Sequence, residues 1–174
     1  MKHALAFALF SAPFGVCAAA PASAQSTSDS ASSEVVTSTS IGEMIDLVGA
    51  MGYEVSRVDR VPGSLRVVSD RGRKFLLSLR ICEGADFTLC EALQLTAYRS
   101  NVPKASFEMV NELNARQLMS QIYYDANQKV MVSKRFITIK DGVAPANIEA
   151  NILAFVEMDE LLTPMINEIA ERQN

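Results

Sequence analysis

Hydrophobic residues recur along this chain in two rhythms. Ile41, Met44, Ile45, Val48 and Met51 fall three and four apart, which is one face of a helix. Ser40, with Glu43 three residues on, gives a capping-box start, and Gly52 supplies a C-terminal stop. Runs of strand-forming residues follow. Tyr53 to Val61 reads as a strand ended by Pro62-Gly63-Ser64, and Leu65 to Ser69 as a second, closed by Asp70-Arg71-Gly72. Lys74 to Cys82, rich in Phe, Leu and Ile, reads as a central strand. Glu83 to Leu89 makes a loop, and Cys90 to Arg99 returns as a fourth strand.

After Pro103 the helical rhythm resumes. Lys104 to Met119 predicts a helix with Phe107, Val110, Leu113, Asn114 and Leu118 along one stripe. Gln121–Asp125 and Lys129–Lys140 read as a hairpin. In its longer arm Val130, Val132, Lys134, Phe136 and Thr138 share one face, and Met131, Ser133, Arg135, Ile137 and Ile139 the other. A final helix begins near Pro145 and carries Ile148, Ile152, Phe155, Val156, Leu161 and Leu162. Pro164 falls inside that pattern, which predicts a kink or a new helix capped by Thr163. The order α-β-β-β-β-α-β-β-α, joined by hairpin-length connections, predicts an α+β domain: an antiparallel sheet with helices on one face.

The beginning of the chain fits neither rhythm. Lys2 and His3 form a short positive region, Ala4 to Val16 is uncharged and mostly apolar, and Ala22-Ser23-Ala24 offers small residues before Gln25. This is the pattern of a cleavable secretory signal peptide over residues 1–24, cut after Ala24. The apolar run is too short and too interrupted by Pro13, Gly15 and Pro21 for a retained anchor. Residues 25–39 are mostly Ser, Thr and Ala and read as a flexible linker. The folded domain is expected over 40–174, in the periplasm or secreted, with no membrane anchor after cleavage.

Charge and histidine content narrow the function classes. The chain has 16 Lys and Arg against 20 Asp and Glu, and loss of Lys2 with the signal leaves 15 against 20, a net charge of −5. That balance argues against a nucleic-acid partner, whose phosphates call for a basic face. The one histidine, His3, leaves with the signal. Histidine-based nucleophilic catalysis and histidine-ligated metal sites leave with it.

Two cysteines remain in the mature chain, Cys82 and Cys90, at the ends of the loop between two paired strands. In an oxidising compartment an even pair reads first as a structural disulfide, with free thiols as the alternative. Seven intervening residues suit neither a zinc ribbon nor a redox C-x-x-C, so metal or redox chemistry is the weakest reading.

Other candidates are polar clusters. Asn111 and Asn114 lie three apart on a helix and can face neighbouring positions, as a ligand contact or as side chains bonding nearby backbone, the preferred reading. Glu83, Asp86 and Glu91 gather around the cysteine loop and could serve acid–base chemistry or hold a hard cation, against the default of solvated turn acids. Arg71, Arg73 and Lys74, with Arg57, Arg60 and Arg66 on the preceding hairpin, could meet an anionic partner. The methionines fall mostly at core periods, which favours packing over an adaptable binding groove. No Gly-rich phosphate loop is present, and nothing in the chain implies a cofactor.

Several separated stretches, taken in order, resemble the YbjN-domain family, bacterial proteins labelled as sensory transduction regulators. They are MGYEV (Met51 to Val55), CEGADFTLCEALQLTAY (Cys82 to Tyr98), VNELNARQLMSQIYYDANQKVMV (Val110 to Val132), and the Asp141-Gly142-Val143 turn before a helix bearing Asn151. Where the family pattern has an aromatic residue before the second Asn of N-x-x-N, this chain has Leu113. The resemblance spans about residues 38–163. It implies a fold similar to type III secretion chaperones, α+β proteins that commonly dimerise and bind other proteins, and it implies no catalytic residue. The expected function is therefore an exported, non-catalytic protein-binding or regulatory module with an unknown protein partner, as a monomer or a homodimer. The alternative is a periplasmic enzyme or ion-binding protein using Glu83, Asp86 and Glu91.

Overall fold

The structure, a computed structural model, describes residues 35–117 and 119–173. The expected signal peptide, most of the linker and Leu118 on the expected helical stripe lie outside the described residues. Among those described the order is α1 (Ile41–Ala50), β1 (Glu54–Arg57), β2 (Ser64–Val68), β3 (Lys74–Glu83), β4 (Leu89–Ser100), α2 (Phe107–Arg116), β5 (Gln121–Asp125), β6 (Val130–Thr138) and α3 (Pro145–Arg172). The six strands form one antiparallel sheet in the order β1-β2-β3-β4-β6-β5, so β1 and β5 are its edges. The element order is the one the sequence pattern predicts.

Local chemistry sets both ends of α1. The Glu43 amide donates to Ser40 Oγ and the Ser40 amide to Glu43 Oε2, a complete capping box. At the other end Gly52 adopts φ +81°, and the amides of Gly52 and Tyr53 reach back to the carbonyls of Gly49 and Val48. This Schellman arrangement turns Tyr53 into the core beside Val48.

Alternation along the strands sorts the sheet into two faces. Leu65, Val67, Phe75, Leu77, Leu79, Leu93, Leu95 and Ile137 turn towards α1 and the first half of α3, where Ile148, Ile152, Phe155 and Val156 meet them. Phe75 and Phe155 close this core edge to face, with ring centroids 5.8 Å apart. A second core, beneath α2, joins Met109, Val110 and Leu113 to Ile122, Met131 and the last turns of α3. Between the two lies a polar seam. Asp159 takes Arg99 at 2.9 Å and the Ser133 hydroxyl at 3.5 Å, and Arg135 Nε donates to Asn151 Oδ1 at 3.0 Å.

Several boundaries differ from expectation. α3 runs unbroken through Pro164 for 28 residues, and the new helix expected at Thr163 does not form. Pro164 is exposed, so its ring and missing N–H disturb only the solvent side, while Leu162, Ile166 and Ile169 hold the inner face in the second core. α2 is shorter than Lys104–Met119 because Ser106 caps it, its side chain accepting from the Met109 amide at 3.2 Å. β1 stops at Arg57; beyond it the Val61 amide turns back to Val58 O ahead of Pro62. The end of the expected linker is held rather than free. Val36 and Val143 exchange two backbone hydrogen bonds, as do Thr39 and Cys90.

Candidate functional site

Cys82 and Cys90 pair directly across β3 and β4 and form a disulfide. Regular alternation would have put Ile81 and Glu91 inward after Leu79 and Leu93. Instead Ile81 takes φ +54°, and the Glu91 carbonyl accepts from both the Ile139 and Lys140 amides. Both strands shift phase by one residue: Ile81 turns outward, Cys90 is buried, and Cys82 packs against the first core. A positive φ at a β-branched residue costs about 1–3 kcal/mol, and here it keeps a carboxylate out of the core. The loop between the cysteines folds back so that the Phe87 ring lies on Gly63, leaving no room there for a Cβ.

The three acids of this region do not converge. Glu83 and Glu91 border one groove with Lys140, which pairs with Glu91 at 3.4 Å. Asp86 borders another, beside Phe87 and Pro62, and accepts from the Thr88 hydroxyl at 3.0 Å. Among the described residues no group of three His, Cys, Asp or Glu side chains is placed to hold a metal ion.

The two asparagines also separate. Asn114 faces β5: its Nδ2 donates to the Ile122 carbonyl at 2.8 Å, and its Oδ1 accepts from the Ile122 amide at 2.9 Å. It thereby supplies an edge strand with the hydrogen bonds a further strand would give. Asn111 is exposed and takes no part in that pairing. Nearby, Glu112 lies between Arg116, at 2.6 Å, and Arg172, joining α2 to α3. The hydrogen bond from Arg172 holds the Glu112 carboxyl below its ordinary range.

The basic residues of the first hairpins divide by strand face. Arg71 pairs with Glu160 of α3 at 2.8 Å. Arg66 and Lys74 instead stand on the sheet face opposite the helices, the face that carries Leu76, Ser78, Arg80, Gln94, Thr96 and Tyr98 and continues through Val132, Lys134 and Phe136. No described helix packs on this face. Its small central members, Ser78, Ala92, Thr96 and Val132, are buried beneath longer neighbours, while Tyr98 is 56% and Phe136 57% exposed. Lys134 Nζ sits 4.9 Å above the Tyr123 ring, and Arg80 Nε donates to Gln94 Oε1 at 3.4 Å. Two grooves open on the face: one of about 740 Å³ beside Gln94, Lys134 and Phe136, and one of about 570 Å³ beside Arg66, Lys74, Leu76 and Tyr98.

Sequence reasoning singled out Arg66 and Lys74 but not Arg80, Tyr98, Lys134 or Phe136 as parts of a site. The β6 alternation placed Lys134 and Phe136 on one face, but Val130 and Val132 share it, so hydropathy alone could not say which face meets solvent. The methionines divide as well: Met44, Met109 and Met131 are buried, and Met119 is exposed.

Comparison with known proteins places this geometry in a family. Residues 40–167 match the family model YbjN, described as "Putative bacterial sensory transduction regulator", and the chain belongs to that family. No curated protein and no solved structure matches it. Among the described residues no helix is long and apolar enough to cross a membrane.

Proposed function

We propose that this YbjN-family protein is an exported, non-catalytic regulatory module that acts by binding another protein on its open sheet face. One observation carries the reading: the helices cover one face of the sheet, while the other presents Tyr98 and Phe136 to solvent, flanked by basic side chains. An antiparallel sheet folds stably with one wet face, but that face is ordinarily polar, and large exposed aromatic rings on it suit a partner surface. The Cys82–Cys90 bridge and the signal-like pattern of residues 1–24 both support work outside the cytoplasm.

A photo-crosslinking residue at Phe136 tests the reading in cells of the source bacterium, with one at Leu161, exposed on α3, as the comparison. A discrete protein adduct from Phe136 and none from Leu161 is the expected result. Adducts from Leu161 alone would move the binding surface to the terminal helix. Fractionation with N-terminal sequencing tests export, and mature protein beginning at Met1 would remove that part of the proposal.

A further inference from the structure

We infer that the partner presents an acidic surface to the open face, a reading that rests on the protein-binding function above and adds the chemistry of its partner. The chain as a whole is acidic, yet its open face is not. Arg66, Lys74, Arg80 and Lys134 stand across its middle; the acids on that side lie at its margins, Glu54 and Asp125 on the edge strands and Glu83 and Glu91 at the disulfide end of β3 and β4, where Lys140 pairs with Glu91. Five cations elsewhere, Arg71, Arg99, Arg116, Lys140 and Arg172, each pair with a carboxylate, whereas Arg57, Arg60 and Arg73 around the first hairpins do not pair with one among the described residues. The four on the open face have no carboxylate partner among the described residues; Lys134 rests on an aromatic ring and Arg80 on a side-chain amide.

Their placement is specific. Arg66, Leu76, Thr96 and Lys134 form one row across β2, β3, β4 and β6. Arg66 and Lys134 therefore stand about 14 Å apart at the usual strand spacing. Lys74 and Tyr98 flank that row on one side, Gln94 and Phe136 on the other. A partner fits by setting carboxylates on the two ends and apolar side chains between them. The cations give orientation and encounter rate, and the aromatic rings give contact area. A protein partner is favoured over nucleic acid because the chain carries a net negative charge that opposes a long polyanion, whereas an acidic patch of matching size need meet only this face.

The test uses the mature, disulfide-bonded protein and fluorescein-labelled peptides in which glutamate alternates with tyrosine, with a lysine-for-glutamate control and a single-stranded oligonucleotide. The glutamate peptide should bind at low salt and weaken as salt rises, and the lysine peptide should bind at least roughly tenfold more weakly. Arg66→Glu with Lys134→Glu should reduce binding by roughly tenfold or more, while Arg60→Glu, off the face, should not. If the double reversal fails to fold by circular dichroism, Arg66→Gln with Lys134→Gln replaces it. Equal binding of both peptides, binding that survives the double variant, or tighter binding of the oligonucleotide would overturn the inference. So would self-association in sedimentation that the same reversal abolishes, since that assigns the face to a second copy. A Phe136 adduct alongside failure of the acidic peptide would leave the protein-binding reading standing and remove only its acidic partner.

Discussion

Asn114 and Ile122 are joined twice, the side-chain amide of the first donating to the carbonyl and accepting from the amide of the second. Ile122 is 2% exposed, so water cannot easily replace either bond. Asn114→Ala should therefore destabilise the domain by about 1–3 kcal/mol. Asn111→Ala, on the exposed side of the same helix, should stay within about 0.5 kcal/mol of wild type. Urea denaturation of the two variants checks the difference; equal midpoints would show that the β5 edge does not depend on this side chain.

The disulfide closes a short loop, Cys90 lying eight positions after Cys82. Cys82→Ser with Cys90→Ser should cost about 2–3 kcal/mol, and reductant should lower the melting temperature of wild type but not of the variant. Because Thr39 bonds to the Cys90 backbone and the Ile41 amide to Phe87 O, the loss should also be felt at the start of α1. Hydrogen exchange should quicken first at residues 39–44, and an unchanged pattern there would separate the bridge from the helix it adjoins.

Alkaline stability should report on Tyr53. Burial, reinforced by Asp70, raises the pKa of its phenol. The folded protein thus holds that proton more tightly than the unfolded chain. The stabilisation is complete below about pH 10, the ordinary tyrosine value, and is lost as pH rises through the folded value. Tyr53→Phe should flatten the alkaline fall in urea midpoint; a fall as steep as wild type would assign it to other groups.

The sequence disclosed what depends on neighbours along the chain and hid what depends on neighbours across it. The α1 capping box and Gly52 stop, the β5 strand and the β6 alternation were readable because each is local. The new helix expected at Thr163 did not form because a local rule met a tertiary fact: Pro164 is exposed while both flanks are held in the second core. The phase shift at Ile81 has no sequence signal, since a β-branched residue argues against positive φ. The row from Arg66 to Lys134 joins residues far apart in the chain, and only sheet order and register bring them into line.

The final helix has a consequence for the timing of folding. Phe155 completes the first core against Phe75, and Ile148, Ile152 and Val156 fill the rest of that layer. A chain emerging N-terminus first has made every strand of the sheet before it has made the helix that roofs it. Until α3 arrives, only α1 covers the inner face, so the core around Leu77, Leu79 and Leu95 is incomplete, and the entropy of closing so long a loop is still to be met. The nascent protein thus passes through a long interval in which it cannot settle. That interval leaves the half-made sheet most exposed to aggregation.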